Sequence, residues 1–68
     1  MSSTAPVAET PLAGRVRAEF TESAGLQLTE AQACRLFQLE PVVGASLLVA
    51  LCEIGFLVKD RSGRFRKA

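Results

Sequence analysis

Residues 41–58 run for eighteen positions with a single charge, Glu53. In a chain of 68 residues such a stretch must supply the centre of the fold. A domain this small buries only about 60% of the surface its unfolded chain exposes, so it has one compact core. Pro41 suits a first helical position, where its missing N–H would have had no partner, and Gly55 suits the residue that ends a helix. Along the helix between them, Val43, Leu47, Ala50, Leu51 and Ile54 form an expected core stripe, while Val42, Ala45, Val49 and Cys52 form a second apolar stripe beside it. Ser46 and Glu53 are its polar residues. Fully burying one valine side chain is worth about 1.5–3 kcal/mol, so the second stripe is expected to be covered, by residues 1–9, by a second copy of the chain or by another protein. A membrane segment is a third reading, since five basic residues follow the stretch as a positive-inside flank does. The break at Gly55 and the unpaired Glu53 weigh against it.

The segments before this helix carry their own punctuation. Residues 1–9 are rich in Ser, Thr, Ala and Pro, lack a hydrophobic period, and are expected to be a flexible leader to a domain of residues 10–68. Thr10 offers an N-cap hydroxyl and Pro11 a first helical position. Leu12, Val16 and Phe20 then share one face of a helix over residues 11–24, which Gly25 ends. Leu26-Gln27-Leu28 alternates as a very short strand does. Thr29 and Gln32 have capping-box spacing, and they open a second helix with Ala33, Leu36 and Phe37 inward. Gln38-Leu39-Glu40 is the turn to the third helix. After Gly55, two alternating runs, 56–59 and 64–67, flank Asp60-Arg61-Ser62-Gly63 and read as a hairpin. Phe56, Val58 and Phe65 are expected on its inner face and Lys59, Arg64 and Arg66 on the outer one. The order is helix, short strand, helix, turn, helix, hairpin, which is an α+β winged helix-turn-helix: three helices with a short strand and a C-terminal β-hairpin wing.

Charge divides along the same boundary. Residues 1–58 hold Arg15, Arg17 and Arg35 against Glu9, Glu19, Glu22, Glu30, Glu40 and Glu53, a net −3. Residues 59–68 hold Lys59, Arg61, Arg64, Arg66 and Lys67 against Asp60, a net +4. That asymmetry points to a localised anion-facing surface on the hairpin, with a solvated basic end that has no partner as the alternative.

From about Gln27 to Lys67 the chain resembles the N-terminal DNA-binding domain of IclR-type bacterial transcription regulators. Leu28-Thr29-Glu30-Ala31 looks like that family's approach to its second helix, Leu39 like its turn leucine, and Leu47, Leu48 and Leu51 like its core positions. Glu53-Ile54-Gly55-Phe56-Leu57, with Asp60 and Gly63-Arg64-Phe65-Arg66, looks like its helix exit and wing. The resemblance implies a DNA partner and a regulatory role. The chain departs from the pattern where the family reads DNA: Pro41-Val42-Val43-Gly44-Ala45-Ser46 carries one hydroxyl and no charge, whereas base readout needs paired donors and acceptors. The ligand-binding domain that follows in those regulators has no counterpart in these 68 residues, and no effector pocket or small-molecule substrate is expected.

Catalytic equipment is not expected either. The chain has no His and no Tyr, so Cys34 and Cys52 lack a base to activate them, and the carboxylates lie mostly on polar helix faces. Two cysteines without histidine make no zinc site, and no cofactor is implied. Both thiols are expected to pack as small hydrophobes, with a disulfide left open, and the N-terminal residues lack the pattern of a secretory signal, which suggests a cytoplasmic protein. Two functions remain. In one, Lys59, Arg61, Arg64, Arg66 and Lys67 hold nucleic-acid phosphates, with Arg15, Arg17 and Ser46 as auxiliary contacts. In the other, Val42, Ala45, Val49 and Cys52 form a dimer or protein interface.

Overall fold

In a computed structural model, which describes residues 10–68, Thr10 Oγ1 accepts a hydrogen bond from the Ala13 N–H at 3.2 Å and Pro11 opens helix α1 (Pro11–Glu22). The leader expected over residues 1–9 lies outside the described residues. Helix α1 ends two residues earlier than the Gly25 signal suggested. The chain turns out of the helix at Ser23, and Gly25, at φ 85°, belongs to the loop beyond. Its buried stripe is Ala13, Val16 and Phe20, while Leu12, expected inward, is only half-buried.

Strand β1 (Leu28–Thr29) starts and ends later than the alternation of Leu26-Gln27-Leu28 implied: its two residues are those that pair with Phe65 and Arg64, and Thr29 also caps the next helix. Its Oγ1 accepts from Gln32 N at 3.1 Å while Gln32 Oε1 accepts from Thr29 N at 2.9 Å, the reciprocal capping box expected at the start of helix α2 (Glu30–Leu36). Ala33 and Phe37 point inward, but Leu36 is 53% exposed, because so short a helix turns only one narrow stripe toward the core. Helices α2 and α3 (Pro41–Glu53) end in the same way. The Leu39 N–H reaches Cys34 O (2.8 Å) past Gln38 at φ 57°, and the Phe56 N–H reaches Leu51 O (2.9 Å) past Gly55 at φ 83°. Both are the closing bonds of a Schellman motif. Glycine accepts the left-handed conformation freely, whereas Gln38 holds it under strain.

Helix α3 buries Gly44, Leu47, Leu48 and Leu51. This stripe is rotated from the expected one: Val43 and Ile54 are exposed and Ala50 is only partly covered. The rotation follows from Gly44. A Cβ there would collide with Cys34 Sγ, so a glycine lets the helix come against α2 along this line and no other residue type would fit unaltered. Cys34 and Cys52 are both free thiols and half-buried, so no disulfide joins them.

Strands β2 (Leu57–Lys59) and β3 (Arg64–Lys67) complete a three-stranded antiparallel sheet in the order β1-β3-β2. The class is α+β, consistent with a winged helix. Register pairs Leu28 with Phe65, Val58 with Arg66 and Lys59 with Phe65. Leu57 and Phe65 are buried against Phe20, Leu47, Leu48 and Leu51 in one core. Among the described residues no single helix is long and apolar enough to cross a membrane. The continuous stretch of residues 41–58 is divided between α3 and β2, and α2 and α3, which together have the length and apolarity of one crossing, are bent by 112°.

Two substitutions test this account by chemical denaturation. Gln38→Gly should stabilise the protein by about 1 kcal/mol through relief of the left-handed strain. Gly44→Ala should cost about 1–2 kcal/mol by overpacking against Cys34, whereas in a Cys34→Ala background it should stabilise by up to about 1 kcal/mol through helix propensity alone.

Candidate nucleic-acid interface

The basic hairpin is organised by one carboxylate. Asp60 Oδ1 accepts from Ser62 Oγ at 2.6 Å, Ser62 N at 2.9 Å and Arg64 N at 3.0 Å. The backbone closes around it, with Gly63 N to Asp60 O at 3.1 Å and Asp60 N to Arg64 O at 2.9 Å. The loop is therefore Arg61-Ser62-Gly63, a tight turn followed by Gly63 at φ 87°, and Asp60 and Arg64 are its closing pair. The Ser62 hydroxyl first, and then the Arg64 N–H, hold the Asp60 carboxyl below the ordinary aspartate value.

This loop is one residue shorter than a turn occupying all of residues 60–63, and the difference moves the register by one. Lys59 lies opposite Phe65 rather than Arg64, which reverses the face of every residue in β2. Leu57 takes the inward place expected for Val58, and Phe56 is only partly buried at the margin of the core. Lys59 lies on the same side as Phe65, its ammonium 5.6 Å from the ring centroid, and not with Arg64 and Arg66. The outer face of the sheet instead carries Arg64, Arg66 and, between the strands, Val58 opposite Arg66. All five hairpin cations are exposed: Arg61 at the turn, Arg64 and Arg66 outward, Lys59 and Lys67 on the Phe65 side.

The auxiliary residues do not join that face. Arg15 is exposed on α1, and the Arg17 guanidinium lies 5.2 Å from the ring centroid of Phe56, just before β2. Ser46 is exposed on α3, at helical spacing from Val42 and Val49 and so on the apolar stripe.

That stripe is open at both ends of α3. Val42 is 76% and Val49 52% exposed, while Ala45 and Cys52 are half-buried. Beside it a shallow groove of about 580 Å³ separates α3 from the sheet. Val49, Cys52, Leu57, Val58 and Phe65 make its apolar lining, and Glu30, Glu53 and Lys59 contribute charge. Burial pushes the Cys52 thiol above the ordinary cysteine value, and Lys59 only partly opposes this. The thiol is thus held protonated, a poor nucleophile. The sequence pattern pointed to the stripe but not to the groove, because the groove depends on the register of β2.

No family model, curated protein or solved structure matches the chain.

Because the folded-state pKa of Asp60 lies below its unfolded value, its contribution is fully present above the unfolded pKa and is lost as pH falls through the folded one. Acid titration followed by amide NMR should show the Ser62 and Arg64 signals moving together below the ordinary aspartate range. In Asp60→Ala that transition should vanish, and the loop amides should exchange faster at every pH.

Proposed function

We propose that this chain is a non-enzymatic winged-helix module that binds nucleic-acid phosphates through Arg61, Arg64 and Arg66, with Lys59 and Lys67 flanking them. The reading is supported chiefly by the placement of Arg64 and Arg66 on a sheet face turned away from the core, beside a loop held rigid by Asp60. The resemblance to IclR-type DNA-binding domains points the same way. Helix α3 contributes no base readout in this proposal. It presents Val42 and Ala45 where paired donors and acceptors would be needed, with the single hydroxyl of Ser46 beside them, and Glu40 at its N-cap and Glu53 in its last turn repel phosphate. Binding is accordingly weak and nearly indifferent to sequence, with dissociation constants of about 10⁻⁴–10⁻⁶ M at physiological salt.

A second reading, a protein contact through α3, is favoured by the exposure of Val42 and Val49, since a contiguous apolar stripe of this kind commonly marks an interface. The two surfaces are separate and one chain accommodates both.

Titration of duplex DNA at several salt concentrations tests the first reading. Replacing both Arg64 and Arg66 with Ala should lower the slope of log K against log salt by about two units, equally for unrelated sequences. Absence of binding at low salt, or a slope unchanged by the two substitutions, overturns it.

A further inference from the structure

Strand β2 is an edge, and its free side has a definite pattern. The bonds Asp60 N to Arg64 O and Ala68 N to Phe56 O identify Asp60/Arg64 and Phe56/Ala68 as hydrogen-bonded pairs of the hairpin. In an antiparallel ladder such pairs alternate, so Val58/Arg66 is the next, and the backbone groups of Leu57 and Lys59 point the other way, to the open edge. The free donors and acceptors are therefore placed symmetrically about Val58. An edge with that symmetry is complementary to itself: turned about a two-fold axis through Val58, Leu57 meets Lys59 of the second copy and Lys59 meets its Leu57, each exchanging an N–H for a carbonyl.

Two further features agree with this placement. Val58, 36% exposed, falls on the axis in the non-hydrogen-bonded pair, where opposing side chains approach most closely, and is covered by its own symmetry mate. The groove beside β2 carries both signs of charge, Glu30 and Glu53 with Lys59, and among the described residues Lys59 is the one cation in its lining, so that Lys59 of each copy can enter a groove that offers two carboxylates. Val49 and Cys52, the exposed and half-exposed residues of α3 that line the same groove, lie against the seam.

We propose that the chain forms a two-fold dimer in which β2 pairs antiparallel with β2 of a second copy about Val58, with Lys59 of each copy facing Glu53 of the other. Such an isologous contact closes on itself and removes an open sheet edge. It deepens the protein-contact reading of α3 by naming the occupant of the groove, and it does not depend on nucleic-acid binding.

Sedimentation velocity without nucleic acid, at rising protein concentration, should show a monomer–dimer equilibrium. Lys59→Pro removes an N–H that faces outward, so the hairpin keeps its own bonds while dimerisation weakens roughly tenfold or more. Glu53→Lys and Lys59→Glu, both on exposed side chains, should each weaken the dimer, and the double exchange should restore it. Val42→Lys, outside the groove, should leave it unchanged. Amide exchange gives a readout specific to the register: Leu57 and Lys59 become protected only at concentrations where the dimer forms, whereas Val58 is protected throughout. Circular dichroism of the dilute variants checks folding, and if Lys59→Pro fails to fold, the charge exchange and the amide pattern carry the test. A monomer at every concentration overturns the proposal and leaves the edge open or covered by residues 1–9. A dimer abolished by Val42→Lys but indifferent to Lys59 and Glu53 also overturns it, in favour of a contact through α3 alone. Either result leaves the salt-dependent DNA titration to stand or fall by itself.

Discussion

One helix has two apolar stripes and the domain has room to bury one of them. The buried line of α3, Gly44-Leu47-Leu48-Leu51, is selected by the approach to α2, where the missing side chain of Gly44 leaves space for Cys34 Sγ. Everything else is arranged around that choice. With Leu47, Leu48 and Leu51 inward, α1 supplies Val16 and Phe20, the sheet supplies Leu57 and Phe65, and the core is full. Val42 and Val49 are left outside by geometry, on the far side of a helix already packed by its own domain. Burying one of them elsewhere is worth about 1.5–3 kcal/mol, a large share of what a small domain commands in total, so the exposed stripe is a standing driving force for association.

The parts legible in the sequence were those decided by a few adjacent residues. Thr10 with Pro11, Thr29 with Gln32, Pro41, and Gly55 each place a helix end, because a cap is a local hydrogen bond or a local φ. The element order followed from these. Faces were less legible. In α3, Val43 and Gly44 are neighbours, and hydrophobicity favours the valine at the core position where packing requires the glycine. At the entry to β2, Phe56, Leu57 and Val58 are consecutive apolar residues, so alternation cannot choose the phase. The choice is made at the turn, two residues beyond Val58, by whether Asp60 joins the loop or the strand.

That single choice also decides the electrostatics. With the shorter loop, Lys59 leaves the outer face for the Phe65 side, and the outer face keeps the two arginines at alternate positions of one strand. Arginine presents a planar fork that grips phosphate in two places, so exchanging a lysine there for Val58 makes the face smaller in charge but more selective for that geometry. The carboxylates Glu30, Glu40 and Glu53 accompany α2 and α3 instead. In the proposed function an anionic polymer would meet the outside of the sheet and be repelled from α3, the reverse of the orientation in which a winged helix reads the major groove through its third helix.

Pairing of β2 with its own copy would give this outward-facing chemistry a scale. Adjacent strands are about 4.8 Å apart, and three such steps separate β3 from β3 of the second copy, so the two rows of arginines would stand roughly 14 Å apart on one continuous sheet. The major groove of duplex DNA is about 12 Å wide, which makes two rows at that separation commensurate with the phosphate ridges on either side. Each row alone makes few contacts and binds weakly. Held together, the second row engages at a high effective concentration, and affinity rises without any contact to a base. The apolar seam, Val49 and Cys52 beneath β2, and the arginines of β3 on the outer face would thus be served by one pairing about Val58, which would form without phosphate and would bring the two rows together where phosphate is present.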